Sequence, residues 1–225
     1  MKIGSEHVYL FNMSPNDLDI VQPAIQEYLL DITPERDEVL VEMETYATEK
    51  NFPIVGPLVG RLLYVLASSI NANRILELGS GFGYSAYWFA KATSDDARII
   101  CTDTKEENAQ RAKDWLTRGK VNRKIDFRVG NALDVLAEAS GEFDIIFNDI
   151  NKHDYPKALT MSIPKLRKGG LFIADNVLWK GRILADKPDE ATAGVLTLNR
   201  MLYSMPDVYT TIIPLRDGVS ISLKL

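Results

Sequence analysis

The sequence predicts an α/β protein: a mostly parallel seven-stranded sheet with an antiparallel last strand, helices on both faces and an N-terminal helical extension. Three patterns carry this. Residues 1–72 show only helical periodicity, strand-like and helix-like runs alternate from Arg74 onward, and the chain closes on two strand-like runs joined through Asp217-Gly218. Alternation implies right-handed crossovers and a parallel sheet covered on both faces. An Asp-Gly pair between two apolar runs signals a hairpin, which reverses the last strand.

In the extension, Ser14-Pro15 and Thr33-Pro34 each set a cap residue before a proline, a common helix start. The helix expected from Pro34 to about Lys50 carries Val39, Leu40, Met43 and Tyr46 on one stripe. A third helix, Leu58–Ile70, is apolar on most sides and is expected to be buried. Strands are expected at Ile75–Leu78, Arg98–Thr102, Ile125–Val129, Asp144–Phe147 and Leu171–Ala174. Helices follow four of them, at Tyr84–Thr93, Lys105–Arg118, Leu133–Ala139 and Tyr155–Leu166, and another at Glu190–Met205. Val208–Pro214 and Val219–Lys224 form the terminal hairpin. With no repeat, low-complexity run or Gly/Ser linker, residues 1–225 read as one domain, its core beginning at residue 73.

Composition narrows the function classes. Apolar residues make up 46% of the 225 and charged residues 25%, the mix of a globular protein with a sizeable core. No run approaches the roughly 20 apolar residues of a membrane span. MKIGSEHVYLFNM lacks a basic head followed by an apolar block, so no secretory signal is expected. Cys101 is the only cysteine, which excludes internal disulfides and cysteine-based zinc sites and suits a reducing cytoplasm. A net charge of −5 disfavours a broad nucleic-acid surface, though not a local basic patch, and favours small substrates.

In an open α/β sheet, ligands bind beyond the carboxyl ends of the strands. After the first strand comes Glu77-Leu78-Gly79-Ser80-Gly81-Phe82-Gly83-Tyr84-Ser85, whose alternate glycines let the backbone turn sharply and approach a ligand. Asp103, after the second strand, is placed to accept hydrogen bonds from both hydroxyls of a ribose. Loop and acid together fit a nicotinamide dinucleotide or S-adenosylmethionine. The dinucleotide loop is G-x-G-x-x-G; here the spacing is G-x-G-x-G with Glu77 ahead of it, an acid that repels a pyrophosphate but suits a cationic amino-acid tail. A glycine-rich turn without a ligand is the plain structural alternative.

The fourth strand ends in Asn148-Asp149-Ile150-Asn151-Lys152-His153 and the fifth in Asp175-Asn176, both at the same carboxyl edge. Asp149, Asp175 and Asn176 offer three hard oxygens to one divalent ion, with magnesium the first choice and calcium or manganese the others. Such an ion lowers the pKa of a coordinated hydroxyl. Lys152 is a candidate base, on the expectation that partial desolvation beside a cation lowers its pKa. Against this, Asp and Asn are frequent turn residues and Asp-x-x-Lys is often a local ion pair. His153 is a second candidate base, and His7 has no assigned role.

These segments resemble the cation-dependent O-methyltransferases that include the caffeoyl-CoA and catechol O-methyltransferases. The likeness runs from about Asn51 to Leu225, strongest at LELGSGFGYS, TDTKEEN, FDIIFNDINKHDY and LRKGGLFIADNVLWKG. It implies a Rossmann-like methyltransferase fold and an S-adenosylmethionine-dependent enzyme, cytoplasmic and homodimeric. It implies that Glu77, Gly79, Ser85 and Asp103 contact the cofactor, with Ala132 beside the adenine, and that Val55, Ser80, Gly81, Tyr84 and Thr104 complete the set. Asp149 then binds both the metal and the cofactor's amino end, Asp175 and Asn176 complete the metal site, and Lys152 stands at the family's proposed base. Asn151 departs from the acid of the common Asp-x-Asp-Lys pattern, Arg61 from a frequent glutamine and Lys180 from a common asparagine. The implied acceptor is a small phenol, catechol-like or hydroxycinnamoyl-type. The alternatives are a tRNA hydroxyuridine O-methyltransferase of the same family, a nicotinamide dehydrogenase, and a fold-mate that binds the cofactor without catalysis.

Overall fold

The computed structural model of the protein describes residues 18–225. A single mixed sheet organises it. Its strands are β1 (Arg74–Leu78), β2 (Arg98–Asp103), β3 (Ile125–Val129), β4 (Phe143–Asn148), β5 (Leu166–Ala174), β6 (Val208–Ile213) and β7 (Val219–Lys224), in the order β3-β2-β1-β4-β5-β7-β6. The first five run parallel; β7 is antiparallel to both β5 and β6. This is the mixed sheet with a reversed end that the sequence predicts. The order reverses between β1 and β4, so the crevice at their carboxyl ends is the topological switch point.

Helices α1 (Pro23–Asp31), α2 (Glu38–Glu49) and α3 (Gly56–Ser69) precede the sheet, and α4 (Tyr84–Ala92), α5 (Glu106–Arg118), α6 (Ala132–Glu138), α7 (Tyr155–Ser162) and α8 (Glu190–Ser204) follow its strands. Alternate residues of a strand face opposite sides, and the core divides accordingly. Ile75, Ile99, Cys101, Phe147 and Ile173 pack under α2–α5, whereas Leu76, Leu78, Ile146, Phe172 and Ala174 pack under α6–α8.

Several expected boundaries move. The helix expected from Pro34 starts at Glu38, because Asp37 caps it by accepting the Leu40 N–H at 3.1 Å. Thr33 instead donates its hydroxyl to the Leu29 carbonyl at the end of α1. The Ser14-Pro15 start lies outside the described residues. α3 buries Val59, Leu63 and Ala67 but leaves Tyr64 and Val65 exposed, so it is half-buried rather than enclosed. The helix expected to reach Leu166 ends at Ser162 and passes through a 3-10 turn, Ile163–Lys165. Pro164 lacks the N–H that α-helical bonding needs there. β5 then begins five residues earlier than expected, with a register irregularity opposite Phe143 and Ile145. The other elements that have expected bounds match them within two residues; α1 has none.

Among the described residues, no helix is long and apolar enough to cross a membrane.

Candidate active site

A cavity of about 920 Å3 opens at the carboxyl ends of β1, β2, β4 and β5. It collects Gly79, Gly81, Asp103, Thr104, Ala132, Asp149, Lys152, Asp175 and Asn176 from the residues singled out in the sequence. Val55 lines a small adjoining recess that shares Ile54 and Arg216 with the main cavity. Glu77, Ser80, Tyr84 and Ser85 stand behind the glycine loop rather than on the cavity wall.

The loop after β1 is held mostly by backbone. Gly79, Gly81 and Gly83 have φ of 86°, 51° and 87°, the left-handed region that glycine enters without penalty. The Gly79 N–H donates to Thr102 Oγ1 at 3.0 Å and the Ser80 N–H to the Thr102 carbonyl at 2.7 Å, tying the loop to β2. At Gly79, a Cβ would lie 2.5 Å from the Asp149 carbonyl oxygen. The glycine therefore lets the β1 loop touch the end of β4.

Asp103 ends β2. Its Oδ1 accepts from the Lys105 N–H at 2.8 Å and from Asn108 Nδ2 at 3.0 Å, which fixes the carboxylate on the cavity wall. Glu77 has no solvent exposure. Ser85 donates to its Oε1, while Oε2 has no hydrogen-bond partner. Burial pushes the Glu77 carboxyl up to about 7, against the pull of the Ser85 and Ser80 hydroxyls. Tyr84 donates its hydroxyl to Glu44 Oε1 at 2.7 Å, and Glu44 is also paired with Arg36 at 2.7 Å. Tyr84 thus anchors α4 to α2.

The opposite wall is charged. Asp175 is 1% exposed and its Oδ1 has no hydrogen-bond partner. Burial first, and the neighbouring Asp149 charge second, push Asp175 up to about 7; Arg216 and Lys152 pull the other way. Asn176 holds a left-handed backbone, φ 56°. Among the described residues, no three His, Cys, Asp or Glu side chains form a metal-holding group. Two carboxylates and one carboxamide do line the same end of the cavity, however. Crowded carboxylates, one with an unsatisfied buried oxygen, are the donor set a hard divalent cation takes.

Lys152 is held on three sides. Its Nζ donates to Asp149 Oδ1 at 2.9 Å, to the Tyr155 hydroxyl at 2.7 Å and to the Ile150 carbonyl at 3.4 Å. Burial acts to lower its pKa, but Asp149 and Tyr155 outweigh burial and hold it above the usual lysine range. All three ammonium hydrogens are engaged, so these contacts favour the protonated form, whereas the sequence reading expects a lowered pKa beside a bound cation. Tyr155 passes the network on by donating to the Asp175 carbonyl at 2.9 Å. His153 is nearly half exposed and pairs with Asp154 at 3.2 Å. Asn151, at the departure from the acidic pattern, accepts the Asp154 N–H through its backbone carbonyl.

Sequence reasoning missed Tyr155, Asp217 and the N-terminal wall. Tyr155 stands three residues after Lys152, one helical turn away, a spacing that links them once Lys152 is suspected. Asp217 had been read only as a turn residue. Leu18, Ile20, Val21 and Leu30 line the cavity from the extension, and nothing local in the sequence marks them.

Comparison with known proteins gives the family and the fold. Residues 31–225 match a family model described as O-methyltransferase. A catechol O-methyltransferase from Niastella koreensis is 30% identical over 212 residues, 89% of this chain and 96% of that protein. A caffeoyl-CoA O-methyltransferase from Eucalyptus gunnii is 30% identical over 219 residues, 90% of this chain and 88% of that one. Among solved structures, the O-methyltransferase TomG from Streptomyces achromogenes in complex with SAM matches with TM-score 0.82 and 30% identity, covering 89% of this chain and 96% of TomG. An O-methyltransferase from Bacillus cereus in complex with SAH gives TM-score 0.82 at 27% identity, covering 90% and 97%.

Proposed function

This chain belongs to the S-adenosylmethionine-dependent O-methyltransferases of the caffeoyl-CoA and catechol type, and from that premise we propose divalent-metal-dependent methyl transfer to a hydroxyl of a small catechol-like or hydroxycinnamoyl-type acceptor. One observation carries the metal reading. Asp149 and Asp175 line the same rim, where the glycine loop touches β4, and a buried oxygen of Asp175 has no partner.

In this reading the cofactor's ribose is held by Asp103 and its adenine lies beside Ala132 and Thr104. Gly79 and Gly81 admit the cofactor backbone, and Asp149 faces its amino group. Glu77, Ser80 and Ser85 support the loop from behind, with Tyr84 anchoring α4 and Val55 closing the adjoining recess. Asp149, Asp175 and Asn176 would hold the ion. An ion held there would supply Lewis acidity toward an acceptor hydroxyl, and magnesium would be the best match to an all-oxygen set.

The chain's own groups do the rest. Methyl transfer needs the acceptor oxygen in line with the sulfonium, so orientation by the cavity walls dominates. Trp179 offers an aromatic face there, and Leu18, Ile20 and Val21 an apolar wall. Lys152 can take the acceptor's proton only when it is itself neutral, because an ammonium has no lone pair to offer. The Asp149 and Tyr155 contacts therefore set the pH at which it acts.

The test is a labelled-methyl transfer screen against catechol, a hydroxycinnamoyl thioester and tRNA, with magnesium or with excess chelator. The small acceptors should be labelled with magnesium, chelation should stop turnover, and added magnesium should restore it. Full turnover in chelator removes the metal from the mechanism. Labelling of tRNA alone replaces the acceptor class, an outcome that the net charge of −5 disfavours.

A further inference from the structure

Asp217 sits in the link between β6 and β7 yet is only 8% exposed and lines the cavity. A turn acid with no other task would be solvated. Its two carboxylate oxygens instead reach into the loop after β5. Oδ1 accepts the backbone N–H of Lys180, and Oδ2 accepts from Asn176 Nδ2 at 3.3 Å. Two backbone bonds run beside them, from the Val177 N–H to the Gly218 carbonyl and from the Leu178 N–H to the Asp217 carbonyl, each 3.0 Å. The Lys180 carbonyl in turn accepts the Leu18 N–H at 2.7 Å, joining the N-terminal wall to the same knot.

The two loops are strained in the same sense. Asn176, Trp179 and Lys180 have φ of 56°, 47° and 51°, and Arg216 has 54°. Side chains other than glycine avoid this region, and such clusters persist only where surrounding contacts impose them. Asp217 bonds to two of the four and adjoins a third in sequence.

We propose that Asp217 is a positioning residue that orients the Asn176 carboxamide: by taking the amide N–H at Oδ2, it turns the carboxamide oxygen, the only end able to bind a cation, toward Asp149 and Asp175. This rests on the metal reading above and goes beyond it, since it assigns a role to a residue outside the three ligands. Partners behind a metal ligand fix its orientation in this way, and losing one costs about tenfold to a hundredfold in metal affinity.

The experiment is a double-mutant cycle read by Mn2+ binding to the full-length protein without substrate, using the electron paramagnetic resonance signal of free Mn2+. The variants are Asp217→Asn, Asn176→Asp and the two together. Asp217→Asn places an amide donor against an amide donor, and it should weaken Mn2+ binding about tenfold or more. S-adenosylmethionine affinity should stay within about twofold of wild type, showing that the fold and the opposite wall survive. The exchanged pair keeps the net charge and restores one donor facing one acceptor. It should bind Mn2+ at least about tenfold more tightly than the two single changes predict if independent. Additive effects within about twofold overturn the proposal, because a carboxylate that acted only through its charge or through loop stability would show no coupling. A wild-type protein that fails to bind Mn2+ overturns the metal reading and this inference together. Wild-type binding with an additive cycle overturns this inference alone.

Discussion

On the β1–β2 side of the cavity, almost every polar group is spoken for by a neighbour close in sequence or in the adjoining strand. Asp103 is fixed by Lys105 and Asn108, and the glycine loop by Thr102. On the β4–β5 side the groups come from the segments after β4 and β5 and from the β6–β7 link, and they satisfy one another only in part. Asp175 keeps a bare buried oxygen, Asp149 and Asp175 repel, and Lys152 is drawn into the gap as a counter-ion. A rim whose cavity-lining groups are already held, with only Glu77 Oε2 bare behind the loop, is preorganised to bind an organic molecule by shape. A rim with uncompensated oxygens is built to be completed by charge.

The two sides touch at Gly79, so the largest effect is expected there. Gly79→Ala combines a left-handed φ of 86° with a Cβ only 2.5 Å from the Asp149 carbonyl oxygen. Backbone cannot yield as a side chain tip can, so the loop and the end of β4 must separate. S-adenosylmethionine affinity and Mn2+ affinity should fall together, each by more than tenfold, as calorimetry and metal titration would show. Loss of one with the other intact would mean that the two sides are not coupled through this contact.

The next pair of changes separates the sides. Lys152→Met should lower turnover by about 10²–10⁴-fold, the usual range for a lost general base, while leaving cofactor affinity near wild type. Because Asp149 and Tyr155 hold Lys152 above the usual lysine range, its neutral fraction grows about tenfold per pH unit through neutrality. Wild-type turnover should therefore climb with pH, and the climb should vanish in the variant. A flat wild-type profile would leave Lys152 an electrostatic partner of Asp149 and no base. Asp103→Ala should do the reverse. It should weaken S-adenosylmethionine by about tenfold to a hundredfold, the scale of one or two charge-assisted hydrogen bonds, with turnover at saturating cofactor largely kept.

The same contrast decides how much could be read from the sequence. The glycine loop, Asp103 and the strands around them are continuous segments whose spacing carries the chemistry. Asp149, Asp175 and Asn176 were legible as strand-end oxygens, since chain order places them at one edge. The state of Lys152 was not, because the sequence shows a lysine near acids but not that Asp149 and Tyr155 outweigh its burial. Asp217 was hidden for a different reason. Its partners Asn176 and Lys180 lie about forty residues away, across a strand pairing that only the folded sheet creates. Glu77 shows the converse limit. The motif marks it as a cofactor residue but does not show that its carboxylate is buried behind the loop with Ser85 donating to it.

The smallest effect expected is on stability, and it tests the uncompensated side directly. Asp175 is raised from an ordinary 3.8 to about 7 in the fold, by burial and by Asp149. Its folded state therefore holds a proton that the unfolded chain releases. The resulting stabilisation is complete below about pH 4 and is lost as pH rises through about 7. Asp175→Asn removes this titration. Wild-type Tm, measured without cation, should fall between pH 5 and 8 by a few degrees more than the variant's, at about 2–4 °C per kcal/mol for a chain of this size. Glu77, raised to about 7 mainly by burial, contributes a similar slope to both proteins and cancels in the comparison. Magnesium at pH 8 should recover the difference in wild type and not in the variant, because binding to the folded state alone stabilises it. Equal slopes in the two proteins would mean that Asp175 is not the crowded, desolvated carboxylate on which the contrast between the two walls depends.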